Sequence, residues 1–130
     1  MELVRSHNLS DNVPYAYAAI THEAGRLVFT AGACPLDSAG NIVAIGDVAG
    51  QAERVMANLT IALRAAGAEL RDVLTTTVYV ATHNRDDLVT AWEVVRRHFG
   101  DHDAPSTLLG VTVLGYRDQL VEVEAVAARQ

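Results

Sequence analysis

The segment from Pro105 to Ala125 constrains the fold of this chain most, because it combines strand-forming runs with a turn signal and two acidic residues. Leu108 to Leu114 is rich in leucine and valine, and Gly115 to Asp118 has the composition of a turn. Leu120 to Val126 then resumes the strand pattern. This order predicts a β-hairpin.

The second strand of this predicted hairpin carries two carboxylates on one face. Side chains of a strand alternate between its two faces. One face therefore holds Val121, Val123 and Ala125, and the other holds Leu120, Glu122 and Glu124. Neighbouring carboxylates repel each other, and in a dry place each needs a hydrogen-bond partner, a proton or a ligand. The alternative is an edge strand whose acidic face is in water.

Length and composition indicate a single domain, residues 1–130, with no membrane span. Half of the residues are hydrophobic, but the apolar runs are short and interrupted by charge, and the first residues form no signal segment. We therefore expect a cytoplasmic protein. The single cysteine, Cys34, excludes an internal disulfide and fits a reducing compartment.

The charged residues argue against a nucleic-acid partner and exclude one kind of covalent catalysis. Ten arginines against sixteen acidic residues give a net charge of −6, so nucleic acid is not an expected partner, and no membrane partner is expected either. The chain contains no lysine, which excludes covalent catalysis through a lysine Schiff base.

Three short strands are predicted before the first helix. They cover residues 3–6, 15–20 and 27–32. A turn signal at residues 22–25 separates the second from the third, and this predicts that the two pair as a hairpin.

Two amphipathic helices flank a further strand. The first helix is predicted to begin at the cap Asp47 and to stop at Gly67. The strand runs from Val73 to Val80, and the second helix begins at Asn84 or Asp86.

The order β-β-β-α-β-α-β-β predicts an α+β layered domain, with two helices on one face of a mixed sheet of about six strands. The other face, which carries Glu122 and Glu124, must then meet solvent or another chain. Several strands are apolar on both sides, so we expect an oligomer packed through this open sheet face.

Four pieces of the chain, in this order and spacing, resemble the RidA/YjgF family of reactive-intermediate deaminases. They are Pro14-Tyr15, residues 27–32 with Pro35 behind them, Ala65-Ala66-Gly67-Ala68 followed by residues 73–79, and residues 121–127. The resemblance implies a chorismate-mutase-like fold and a homotrimer with ligand clefts between subunits. It also implies hydrolysis of small imines or enamines to a carbonyl compound and ammonia, without a metal or organic cofactor.

Two residues match the family's site. The cleft tyrosine falls on Tyr15, and the glutamate that positions water falls on Glu122. Apolar walls of the implied cleft would favour the protonated form of Glu122, which predicts that Glu122 acts as general acid or base. Tyr15 is predicted to orient the ligand or to donate to its heteroatom. The structural alternative is that Glu122 only ties strands together at the trimer seam.

Other positions depart from the family's pattern. The arginine that holds a substrate carboxylate falls on Thr107, a common cysteine falls on Leu109, and a common asparagine falls on Trp92. The serine-glycine-glutamine of the early strand becomes Ala31-Gly32-Ala33. The implied cleft is thus less polar than in the family, and its lining is Ala31, Gly32, Thr107, Leu108, Leu109 and Trp92.

The change at Thr107 predicts the class of ligand. An arginine grips a carboxylate through two charge-assisted hydrogen bonds, whereas a threonine hydroxyl offers one neutral donor. We expect a loss on the order of a few kcal/mol in the free energy of carboxylate binding. The ligand is therefore predicted to be a neutral or largely apolar carbonyl, imine or enamine.

Three functions stay open at this point. The first is an imine or enamine hydrolase whose substrate lacks a carboxylate. The second is a non-catalytic trimer that binds a small metabolite and regulates a partner, an alternative that the absent arginine supports. The third is another acid-base reaction in the same cleft, such as tautomerisation or ring closure.

Two further signals are set aside. His98 and His102 have the spacing of a metal-binding pair, but Gly100 interrupts the helix between them, so we predict a solvated helix end and no metal. Cys34 has no base near it in the sequence and is predicted to be a packing residue rather than a nucleophile.

Overall fold

The computed structural model describes residues 1–22 and 25–129, which form six strands and two long helices. The strands are β1 (Glu2–Val4), β2 (Ala18–Ile20), β3 (Arg26–Phe29), β4 (Val73–Ala81), β5 (Ser106–Val111) and β6 (Val121–Arg129). The helices are α1 (Val48–Ala65) and α2 (Arg85–Phe99), and a short 3-10 helix (Leu70–Asp72) precedes β4. The predicted order of elements is confirmed.

The strands form two sheets rather than one. The main sheet has the order β3-β6-β4-β5, with β6 antiparallel to both neighbours and β4 parallel to β5. Strands β1 and β2 form a separate antiparallel pair. The α+β class and the mixed sheet are confirmed, but the mixed sheet has four strands.

Both predicted hairpins are wrong. Strands β5 and β6 do not pair, because β4 lies between them: Val78 of β4 faces Leu108 on one side and Val123 on the other. The connection over residues 112–120 is long enough to pass β4. Strand β2 pairs with β1 and β3 pairs with β6, and residues 23 and 24 of the predicted turn lie outside the described residues.

The helix caps agree with the sequence. Asp47 Oδ1 accepts a hydrogen bond from Gly50 N at 3.0 Å, and Asn84 Oδ1 accepts one from Asp86 N at 2.9 Å. Such side chains satisfy backbone N–H groups that have no partner within the helix. Asn84 is thus the cap of α2, and Asp86 lies in its first turn.

The core lies between the two helices and one face of the main sheet. Val55, Met56, Leu59 and Leu63 of α1 and Val94 and Val95 of α2 pack with valines of β4 and β6. In β6, Val121, Val123 and Ala125 are buried, while Glu122 and Glu124 are half-buried on the opposite face, as the alternation predicts. Leu120 is the exception, since it precedes β6 and packs against the core.

The opposite face of the main sheet is not covered by a helix. It exposes large apolar side chains: Leu27 is 54%, Phe29 is 72% and Leu109 is 43% exposed. We call this surface, with Glu122 and Glu124, the open sheet face. Among the described residues, neither helix has the length and hydrophobicity of a membrane span.

Candidate active site

Glu122 lies where the chain leaving β3 crosses β6. Ala33 N donates to Val123 O at 2.7 Å, and Val123 N donates to Ala33 O at 3.2 Å. This bridge brings Gly32 directly against the Glu122 side chain. A Cβ atom on Gly32 would lie 2.4 Å from Glu122 Oε2, so only glycine leaves room for the carboxylate in this position.

Two side chains donate to the same oxygen of this carboxylate. Gln119 Nε2 lies 3.2 Å from Glu122 Oε1, and Cys34 Sγ lies 3.3 Å from it. Gln119 is itself buried and is held by Tyr116 N, which donates to its Oε1 at 3.1 Å. Glu122 is therefore fixed by residues before β6 and after β3.

Cys34 is a neutral hydrogen-bond donor. Partial burial, the hydrogen bond to Glu122 and the charge of Glu122 raise the pKa of the Cys34 thiol from 9.0 to about 11. A thiolate is the reactive form of cysteine, so this environment does not activate Cys34 as a nucleophile.

Glu124 has a separate partner. Tyr79 Oη donates to Glu124 Oε1 at 2.6 Å, and this hydrogen bond, followed by burial and the charge of Glu124, raises the pKa of Tyr79. The two acidic residues on one face are thus held by different groups, Glu124 by a β4 tyrosine and Glu122 by an amide and a thiol.

Strand β4 lies between β5 and β6, the strand that carries Glu122 and Glu124. Tyr79 is in register with Glu122 on one side and with Leu109 on the other. Thr77 is in register with Glu124 and with Thr107 in the same way. Thr107 and Leu109 therefore lie two strands from the carboxylates, exposed on the edge strand of the main sheet.

The other predicted site residues lie in three different places. Ala31 is exposed beside Gly32, whereas Leu108 is half-buried and packs against the core. Tyr15 contacts the ring of Tyr17, with 5.9 Å between centroids, and Trp92 lines a small cavity with Pro14 and Ser106. No hydrogen bond or ring contact joins Tyr15 to Glu122 within the described part of one chain.

The two histidines at the end of α2 are engaged by the protein. His98 Nε2 lies 2.7 Å from Glu53 Oε2, and His102 Nε2 lies 2.7 Å from Val73 O. They therefore have partners in the fold, rather than forming a simple solvated helix end. In residues 1–22 and 25–129, no three side chains of His, Cys, Asp or Glu cluster as metal ligands would.

Gln119 and the contact between Cys34 and Glu122 were not predicted from the sequence. Gln119 lies between the predicted turn, residues 115–118, and the predicted strand, where the strand period gives no orientation. Cys34 and Glu122 are 88 positions apart, and only the pairing of the chain after β3 with β6 brings them together. The arrangement provides a carboxyl group with one oxygen held by donors and the other facing Gly32.

Comparison with known proteins identifies relatives over most of the chain. The sequence model described as Endoribonuclease L-PSP matches residues 6–129. A RutC family protein of Pyrococcus horikoshii is 33% identical over 117 residues, which are 90% of this chain and 88% of that protein. A 2-iminobutanoate/2-iminopropanoate deaminase of Salmonella typhimurium is 30% identical over 125 residues, 93% of this chain and 95% of that enzyme.

Solved structures share the fold over nearly the whole chain. The Rid family protein YyfB of Yersinia pestis superposes with a TM-score of 0.89 at 27% identity, covering 98% of both chains. TdcF of E. coli, solved with bound serine, superposes with a TM-score of 0.70 at 27% identity over 100% of both chains.

Proposed function

The chain belongs to the RidA/YjgF/L-PSP family, and from this premise we propose that it hydrolyses small imines or enamines that lack a carboxylate. The observation that carries the proposal is the Glu122 carboxylate, which lies half-buried beside Gly32 and is held by Gln119 and Cys34. Relatives of about 30% identity are named imine deaminases, which supports the reaction class.

The proposed chemistry uses one carboxyl group for both proton transfers. An imine and one water give a carbonyl compound and ammonia. Protonated Glu122 donates to the imine nitrogen, and its carboxylate then accepts a proton from the water that attacks the carbon. The resulting carbinolamine loses ammonia when its nitrogen is protonated and its hydroxyl proton is removed, which returns Glu122 to its starting state. No external co-reactant besides water is required.

We propose that three copies of the chain complete the site. Tyr15 does not contact Glu122 within the described part of one chain, so a cleft containing both would take Tyr15 from a neighbouring subunit. The exposed Phe29 and Leu109 of the open sheet face support association through this surface, because apolar side chains gain from leaving water. In such a cleft Tyr15 orients the ligand.

The preference for a neutral substrate is proposed from Thr107 and Leu109. Both are exposed on β5, and neither carries a charge that could pair with a carboxylate. The relatives named for 2-imino acids act on substrates with a carboxylate, so the proposed substrate class separates this chain from them. The net charge of −6 also disfavours an RNA substrate, despite the nuclease name of the family model.

The test compares imines with and without a carboxylate, generated by an oxidase and followed by release of the carbonyl product. Glu122→Gln cannot exchange a proton, and we expect kcat to fall by about 100-fold or more. Unchanged turnover in this variant would contradict the acid-base role. A parent protein that binds a metabolite but hydrolyses no imine would favour the non-catalytic trimer instead.

A second pair of variants tests the substrate class. Thr107→Arg supplies a guanidinium group that can form two charge-assisted hydrogen bonds with a carboxylate. We expect kcat/KM for the carboxylate-bearing imine to rise by about 10-fold or more. Thr107→Met is the control, because it adds a long side chain without charge. Equal effects of the two variants would contradict the proposal that position 107 selects against carboxylates.

A further inference from the structure

We infer that Gln119 and Cys34 are positioning residues, which hold Oε1 of Glu122 so that Oε2 is the oxygen that exchanges the proton with the substrate. This inference rests on the proposed function and deepens it. Neither residue belongs to the matched site positions, and neither was identified from the sequence.

The orientation of the Gln119 amide is fixed by its neighbours. Tyr116 N can only donate, so the atom it contacts at 3.1 Å must be the amide oxygen. Val121 O can only accept, so the atom 3.2 Å from it must be the amide nitrogen. The Gln119 Nε2 that faces Glu122 is therefore a donor, and Gln119 is only 4% exposed, which restricts any rearrangement.

The second donor acts on the same oxygen. Cys34 Sγ donates to Glu122 Oε1 at 3.3 Å, and the backbone around it is fixed because Asn58 Nδ2 donates to Cys34 O at 2.8 Å. The raised pKa of the thiol keeps its proton in place at neutral pH. An amide nitrogen accepts no hydrogen bond, and a thiol sulfur is a weak acceptor, so a proton on Oε1 would find no good partner.

The proton of neutral Glu122 therefore belongs on Oε2. No hydrogen bond to Oε2 is formed by residues 1–22 and 25–129, and this oxygen lies against the Cα side of Gly32. The two oxygens thus have different roles: two donors anchor Oε1, and Oε2 carries the proton that the reaction moves.

The experiment uses the full chain and measures two quantities in each variant: kcat and KM for a neutral imine, and the ¹³C chemical shift of the Glu122 carboxyl carbon by NMR. Cys34→Ala removes one donor, and we expect kcat to fall about fivefold with little change in KM, and the resonance of the carboxyl carbon to shift. Cys34→Ser keeps a donor and should restore both. Gln119→Glu, which replaces the amide donor with a carboxyl group, should lower kcat further and shift the same resonance.

Thr60→Ala is the control, because it removes a hydrogen bond to Met56 O at 2.8 Å in α1 without touching Glu122. Thermal melting identifies any variant that is unfolded. If Gln119→Glu is unfolded, the comparison of Cys34→Ala with Cys34→Ser tests the inference. A kcat and a carboxyl resonance that stay unchanged in folded Cys34→Ala and Gln119→Glu would overturn the inference while leaving the proposed function intact. Absence of imine turnover would overturn the proposed function, and the carboxyl resonance would still decide between an anchored and a free Oε1.

Discussion

Glu122 and Glu124 are two positions apart on one strand, yet their surroundings give them different properties. Glu124 accepts a hydrogen bond from the Tyr79 hydroxyl at 2.6 Å, whereas one oxygen of Glu122 accepts hydrogen bonds from the Gln119 amide and the Cys34 thiol. Strand β4 lies beside both acids, but the Tyr79 hydroxyl is bonded to Glu124, while the bridge between Ala33 and Val123 brings Cys34 to Glu122. The alternation of side chains along β6 therefore determines that both acids lie on the open sheet face. The neighbouring segments determine which groups hydrogen-bond to each acid.

Gly32 allows a direct test of the carboxylate's position. Gly32→Ala would place a Cβ 2.4 Å from Glu122 Oε2 and 2.5 Å from its Cδ, so the side chain must move. We expect imine hydrolysis to fall by about 10-fold or more, with a loss of only about 1 kcal/mol in the free energy of unfolding, because a flexible side chain can shift. Gly115→Ala is the matched control, since a Cβ added there would meet no atom within 4 Å. Equal activity of the two variants would contradict the described position of Glu122.

The Cys34 thiol predicts a pH dependence. Its folded pKa of about 11 lies above the ordinary 9.0, so the neutral thiol stabilises the folded state below pH 9.0. This contribution is lost as the pH rises from 9.0 through about 11, and Cys34→Ala should lose less stability over that range. Because Glu122 contributes to the shift, Glu122→Gln should speed alkylation of Cys34 near pH 9.0. An identical alkylation rate in the parent and in Glu122→Gln would argue against the contact.

At the scale of elements, Gln51 connects α1 to the segment that leads into β6. Its Nε2 donates to Asp118 O at 2.9 Å, and its Oε1 accepts from Leu120 N at 2.7 Å. Gln51 is fully buried, so both backbone groups depend on it. This connection fixes the start of β6 and, with it, the residues on either side of Gln119.

Gln51→Leu should therefore destabilise the protein. Two backbone groups lose their partner inside the buried site of Gln51, and we expect a decrease of about 2 kcal/mol in the free energy of unfolding, measured by urea denaturation. Asn84→Ala is a comparison of a different kind, because it removes only the cap of α2 and should decrease that free energy by about 1 kcal/mol. A smaller effect at Gln51 than at Asn84 would contradict the role assigned to Gln51.

The helices and strands are predicted better from the sequence than the pairing of the strands is. Helix caps, strand alternation and the face on which Glu122 lies follow from local patterns, because each depends on residues a few positions apart. The hairpins were wrong because pairing depends on the whole sheet: β4 separates β5 from β6, although only a turn signal lies between those two in the sequence. Cys34 could not be found for a similar reason, since its contact with Glu122 depends on the pairing of the chain after β3 with β6. Gln119 is only three positions from Glu122, but it precedes β6, where the alternation of a strand gives no orientation.

At the scale of the whole molecule, the exposure of the open sheet face bears on whether a single chain contains the complete site. The two helices cover one face of the main sheet, and Phe29, at 72% exposure, and Leu27, at 54%, remain in water on the other face of a single chain. Thr75 and Thr77 lie nearby and, with Phe29 and Glu124, line a cavity of about 200 Å³. Exposed apolar residues of this size, beside a shallow cavity, favour association with further copies.

Association of three copies through the open sheet face can be measured by sedimentation. We expect the parent protein to sediment as a trimer, and Phe29→Asp to sediment as a smaller species, because a buried carboxylate without a partner is unfavourable in an apolar interface. Imine hydrolysis should fall together with the trimer, since Tyr15 and Glu122 would no longer share a cleft. Ile61→Asp is the control, because Ile61 is similarly exposed, at 64%, but lies on α1. A fully active monomeric Phe29→Asp would show that one chain contains the whole site.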